Sequence, residues 1–174
     1  MKWFQNLSIT RKLLLAFCST GLLTLLLGLF SVWRLDVAER QIEQVNSNWI
    51  PSVQHLGEMR AQLGEFRTFE QAQLSYQGDA MQLADYDKRM ADTRALIEAE
   101  EKAYDSIEAS SSQEEQQMYD KVKALRSAYF GANERIAAAI ALDDFDTART
   151  ISSDESRMLR RDLFNQLKQL SQYN

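Results

Sequence analysis

Glycine and proline are scarce in this chain of 174 residues, which has six of the first and one of the second. Hairpins and short strands need that punctuation, so the scarcity excludes a β-rich fold and favours long helices. A lone cysteine cannot close a disulfide, and with a lone histidine it cannot build a zinc site unless carboxylates cluster around it. No disulfide framework, structural metal or cofactor is expected. Positive charge is not in excess either. Twenty basic side chains face twenty-five acidic ones, for a net charge of -5, which leaves nothing to neutralise a phosphate backbone and speaks against nucleic acid as a partner. No glycine-rich phosphate loop or positioned nucleophile is present, so the sequence gives no catalytic residue and no enzyme. The length suits one domain rather than two well-filled ones.

Apolar surface is what the chain has, and it is unevenly spread. Leu13 to Trp33 carries no charge, and its roughly 21 residues span about 31 Å as a helix, close to the thickness of a bilayer's hydrocarbon core. This segment is predicted to cross a membrane. Lys2, Arg11 and Lys12 precede it, whereas Arg34 and Arg40 are offset by Asp36 and Glu39, which puts the N-terminus in the cytoplasm and the rest outside. Trp3, Phe4 and Trp33 fall where interfacial aromatics sit. A cleavable signal peptide fits less well, because the run is long and no small-x-small site follows it. Phe17 stands before Cys18 where a lipoprotein needs a small residue, so Cys18 reads as a small apolar side chain. Gly21, Thr24, Gly28 and Ser31 form a small-residue stripe suited to contact with a second helix, either its own copy or another span.

Beyond Trp33 the periodicity becomes heptad-like. Ile42, Val45, Trp49, Ser52, Leu56, Met59, Leu63 and Phe66 form one seam, with Pro51 expected to bend its helix near Trp49 without ending it. Gly78, Asp79 and Gln82 give a C-cap, an N-cap and a capping-box partner. A second seam follows in Leu83, Tyr86, Met90, Thr93, Ile97, Glu100, Tyr104 and Ile107. Ser110, Ser111 and Ser112 before Glu114 and Glu115 begin a third helix, with Met118, Val122, Leu125, Tyr129, Ala132, Ile136 and Ile140 inward. The acidic turn Asp143 to Asp146 closes it, and Ala148, Ile151, Leu159, Leu163, Leu167 and Leu170 mark a fourth. Four helices of roughly 30 to 40 residues joined by short turns predict an all-α fold: a transmembrane helix continuous with an antiparallel up-down-up-down four-helix bundle. The expected organisation is a stub over 1–12, a span over 13–33 and a bundle over 34–174. A second span is expected to follow.

Three stretches are more specific. Asn6-Leu7-Ser8-Ile9-Thr10-Arg11-Lys12-Leu13-Leu14-Leu15-Ala16-Phe17, then Asn48-Trp49-Ile50-Pro51-Ser52 with Leu56 and Arg60, and Leu142-Asp143-Asp144-Phe145-Asp146-Thr147-Ala148-Arg149 occur in that order. Together they resemble the four-helix-bundle periplasmic sensory module of methyl-accepting chemotaxis proteins, over essentially the whole chain. The resemblance implies a homodimeric bacterial inner-membrane receptor that binds a small attractant, or a ligand-loaded binding protein, in the periplasm. It also implies that a small helix displacement passes to a cytoplasmic kinase and adaptor through a part beyond Asn174. Relatives that bind aspartate or serine use further arginines on the first helix, and this chain has Glu65 and Phe69 where they would fall.

Laid antiparallel, the helices bring Arg60 and Arg67 near the level of Thr93 and of Arg126, Tyr129 and Asn133, a polar layer within an apolar bundle. Gly57 and Gly64 share the arginines' stripe and leave room beside them. Guanidinium forks suit a carboxylate, so a small organic acid or amino acid is expected near Arg60. Competing partners for Arg67 are Glu70, one turn on, and Glu155 across the bundle. His55 reads as a solvated or interface side chain, and Glu98, Glu100 and Glu101 as a solvated acidic stretch. The alternatives are the same kind of input domain on a sensor histidine kinase or diguanylate cyclase, and a membrane-anchored scaffold without a ligand.

Overall fold

The computed structural model describes residues 8–107 and 112–173, and among these there is no strand. Its helices are α1 Ile9–Gln44, α2 Ile50–Gln73, α3 Ala80–Ile107, α4 Gln113–Ala141, α5 Phe145–Ile151 and α6 Arg157–Tyr173. Two five-residue π turns interrupt this order, Val45–Trp49 before α2 and Ser152–Ser156 between α5 and α6. The chain divides into two units, one up to Asn46 and one from Ser47. Lys2, Trp3, Phe4, Asn6, Leu7, Ser110 and Ser111 lie outside the described residues.

In the first unit, Leu13 to Trp33 lies within α1, and this helix is long and apolar enough to cross a membrane. Three of its polar side chains bond the helix's own carbonyls. Ser19 donates to the carbonyl of Ala16 at 2.9 Å and Thr24 to that of Thr20 at 2.9 Å, while Thr20 reaches Ala16 and Phe17. Such back-bonding is what a hydrocarbon environment demands. Along the small-residue stripe, a Cβ added at Gly21 or Gly28 would meet nothing within 4 Å. Pro51 sits in the first turn of α2, and the π turn lies directly before it. A proline ring clashes with the carbonyl four residues earlier, and widening the turn relieves that clash while the helix continues.

The second unit is the four-helix bundle, formed by α2, α3, α4 and a fourth helix made of α5, the π turn and α6. Its pairings run antiparallel, since residue numbers rise on one partner as they fall on the other. His55 meets Glu100 and Gln73 meets Asp87 between α2 and α3. Arg94 meets Glu134 and Lys123 meets Asp105 between α3 and α4. Arg67 meets Ser152, and Arg60 lies over Phe164, between α2 and the fourth helix. The connections follow the expected chemistry. Gly78 adopts φ 82°, Asp79 accepts from the Gln82 amide at 3.1 Å, and Ser112 caps α4 by accepting from the Glu115 amide at 3.1 Å. Asp144 caps α5 through the Thr147 amide, and the Thr147 hydrogen bonds hold its carboxyl below the usual range.

Leu56, Met59, Leu63, Phe66, Ile97, Tyr104, Tyr119, Tyr129, Leu163, Leu167 and Leu170 fill the core. Several seam assignments move. Ile42 and Trp49 are exposed rather than inward. On α4 the buried residue is Tyr119, not Met118, because its ring lies 4.6 Å from that of Tyr104. On α3 Glu101 goes inward instead of Glu100, which pairs with His55. The fourth helix is one helix only if its π turn is counted in.

Phe66 is fully buried against Tyr129 and Phe130, so Phe66→Ala is expected to cost about 3–5 kcal/mol. Ser112→Ala, which removes a cap, is expected to cost about 1 kcal/mol. Urea unfolding of the chain in detergent micelles, followed by circular dichroism, measures both.

Candidate functional site

The core stripe of α2 continues past Phe66 by steps of four and three, to Glu70 and Gln73, and both are buried. A carboxylate at such a position is tolerable only if donors surround it. Four side chains supply them. Arg67 pairs with Glu70 within the same helix. From the π turn, the Ser152 hydroxyl donates to Glu70 Oε1 at 2.7 Å, and that of Ser156 to Oε1 and Oε2 at 3.1 and 3.2 Å. Asn133 Nδ2 on α4 donates to Oε2 at 3.4 Å.

The arginine and a neighbouring amide bind the π turn in their own right. Arg67 Nη1 donates to the hydroxyls of Ser152 and Ser156 at 2.9 and 3.2 Å, and Nη2 to the Ser152 carbonyl at 3.1 Å. Gln71 Nε2 adds a 2.6 Å bond to the Ser152 hydroxyl. Tyr129, fully buried beside this group, has a hydroxyl with no hydrogen-bond partner among the described residues. Burial first, and then the nearby charge of Glu70, push its pKa well above the usual tyrosine value.

The expected polar layer is therefore divided. Arg67, Tyr129 and Asn133 do meet, around Glu70. Thr93 is buried but turns its hydroxyl back to the Arg89 carbonyl at 2.8 Å. Arg126 pairs with Glu101, whose carboxyl is pushed up by burial and held down in part by Arg126 and Lys123. Glu101 is thus no part of a solvated stretch. Arg60 is exposed, with its guanidinium 5.4 Å from the centre of the Phe164 ring. The reason for the separation is angular: Arg60 and Arg67 face the fourth helix, whereas Arg126 faces α3. Glu155 does not reach Arg67, because it pairs with Arg135 at 2.6 Å. Gly57 and Gly64 do not face a closely packed helix, as an added Cβ at either would meet nothing within 4 Å.

Two clefts are lined by polar groups. One, of about 100 Å³, lies between α2 and α6 and is lined by Gly57, Arg60, Lys168, Ser171 and Gln172 over Leu56 and Leu167. Among the described residues neither Arg60 nor Lys168 has an acidic partner. The other, of about 260 Å³, lies at the far end of α2 and is lined by Gln71, Leu74, Ser75, Arg149, Ser152 and Ser153. Sequence reasoning overlooked Glu70 as a centre, although its place on the stripe after Met59, Leu63 and Phe66 signals it. It also missed Ser152, Ser156 and Lys168.

Removing the Glu70 carboxyl strands Arg67, so Glu70→Ala is expected to cost about 3–5 kcal/mol, against less than about 1 kcal/mol for exposed Arg60→Ala. Chemical denaturation distinguishes the two. Tyr129 is expected to give a basic limb: the unfolded chain ionises it near pH 10 and the folded chain only above that. Its stabilising contribution is whole below about pH 10 and is lost as pH rises further, so melting between pH 8 and 11 should fall less steeply in Tyr129→Phe.

A family whose description is a four helix bundle sensory module for signal transduction matches residues 6–174. No curated protein and no solved structure matches the chain.

Proposed function

Because the chain belongs to the family of four helix bundle sensory modules for signal transduction, we propose that it is the N-terminal sensory region of a bacterial transmembrane chemoreceptor. The observation that carries this reading is the family match over nearly the whole chain, joined to one helix with the length and composition of a membrane span. On it, residues 1–12 are cytoplasmic, 13–33 cross the inner membrane and 34–174 stand in the periplasm. The basic residues before the span favour that orientation. Two copies associate, with Gly21, Thr24, Gly28 and Ser31 at the contact between their spans.

The ligand is a small organic acid or amino acid, and its carboxylate lies between Arg60 and Lys168. What supports this is charge and space: two cations without an acidic partner flank one cleft, with Ser171 and Gln172 as further hydrogen-bonding groups. A guanidinium offers a planar fork to both oxygens and an ammonium offers a point charge. Thr93 bonds the Arg89 carbonyl and Arg126 pairs with Glu101, and neither takes part in holding the acid. Arg67, Tyr129 and Asn133 belong to the Glu70 group, which supports the first helix from behind. Binding of the acid between the first and fourth helices shifts one along the other, and that displacement is the signal.

A thermal-shift panel of di- and tricarboxylates on the full chain in detergent micelles tests this reading. At a hundredfold excess over its dissociation constant an acid that binds stabilises the fold by about 2.7 kcal/mol, a rise of about 5–10 °C. Arg60→Ala and Lys168→Ala are each expected to abolish the rise. A shift that survives Arg60→Ala removes this site, and no shift with any acid leaves a scaffold without a carboxylate ligand.

A further inference from the structure

The buried positions of the fourth helix do not keep one heptad phase. Counting back from its end, Leu170, Leu167, Leu163, Arg160 and Ser156 step by three, four, three and four, all inward or half-buried. The next step of three falls on Ser153, which is exposed; the buried residue is Ser152, and Ala148 and Phe145 continue the new phase. Against a strict three-four alternation, the stretch between Ser152 and Ser156 therefore holds one residue more. The π turn takes up that surplus, as a single-turn bulge does.

The surplus sits where it is fastened from both sides. The first and last residues of the turn, Ser152 and Ser156, are each fully buried and each bond Glu70 and Arg67 of the facing helix. We propose that Arg67 and Glu70 form a register latch, which holds the surplus residue of the fourth helix as a π turn and fixes the angle between its two halves. Rewinding the turn as α-helix rotates α6 against α5 by about 100°, the angle of one residue. Phe145 and Ala148 on one side and Leu163, Leu167 and Leu170 on the other resist that rotation, so the surplus is confined to this turn. Breaking the bonds from Glu70 is what lets it open. Gln71 and Ser152 also line the 260 Å³ cleft, so exposed Gln71 puts one side of the latch next to solvent. The latch needs nothing of the Arg60 cleft, and its test is separate from that of ligand binding.

The test compares deletions and exchange rates in the full chain in detergent micelles. Deleting exposed Asp154 removes the surplus, and the shortened chain is expected to melt within about 5 °C of the parent. Deleting exposed Asp162 throws the leucine stripe of α6 out of phase, and its melting should fall by about 15 °C or more or lose cooperativity. Glu70→Gln should speed hydrogen exchange of amides 153–157 about tenfold or more while those of α4 change less than about threefold. With Asp154 also deleted, this local acceleration should vanish. Should Glu70→Gln fail to fold, Ser156→Ala, which removes one donor from the latch, carries the same comparison. Equal damage from the two deletions, acceleration spread evenly over α4, or acceleration that persists without Asp154 would each overturn the latch.

Discussion

A charge placed in the middle of an apolar bundle governs everything packed around it. Glu70 is as inaccessible as the leucines of the core, and leaving it without donors would cost more than any one of those leucines contributes. The donors come from three helices, so this carboxylate fixes α2, α4 and the fourth helix against one another in one register. Apolar seams tolerate small slips because one leucine replaces another; a ring of directed hydrogen bonds does not. The polar centre thus supplies the specificity that the heptads alone lack.

Much of the architecture was legible in the residues. Leu56, Met59, Leu63 and Phe66 mark the buried face of α2, and the Gly78-Asp79 and Asp143-Asp144 turns divide the helices where cap chemistry requires. The apolar run from Leu13 to Trp33 stands out by composition alone. What escaped was set by contacts between helices. A binary pattern reads Glu70 as the end of a seam and Arg67 as a surface cation, because only the fourth helix supplies the hydroxyls that make their burial tolerable. The extra residue near Ser152 was present in the spacing, but serines and an alanine on the inner face blur the phase that leucines would have made plain. Arg126 and Thr93 part from the arginines of α2, because direction depends on which neighbour each helix face meets: Arg126 pairs with Glu101 on α3, and buried Thr93 bonds the Arg89 carbonyl.

Membership of a sensory family gives this arrangement a use. A module that passes signals needs two arrangements of similar energy. Clefts that open between the first and fourth helices, and a fourth helix whose winding changes halfway along, place adjustable features on the same pair of elements. Arg94 with Glu134 and Arg126 with Glu101 join the second and third helices through side chains.

Phe164 is shared. Arg60 approaches its ring with the guanidinium carbon 5.4 Å from the centre, and Arg160 does so at 5.0 Å. The two cations stand within about a Debye length of each other, held there by one aromatic quadrupole rather than by any acid. One ring thereby orients two guanidiniums that start from different helices, so a shift of Phe164 carries the outer faces of α2 and α6 together.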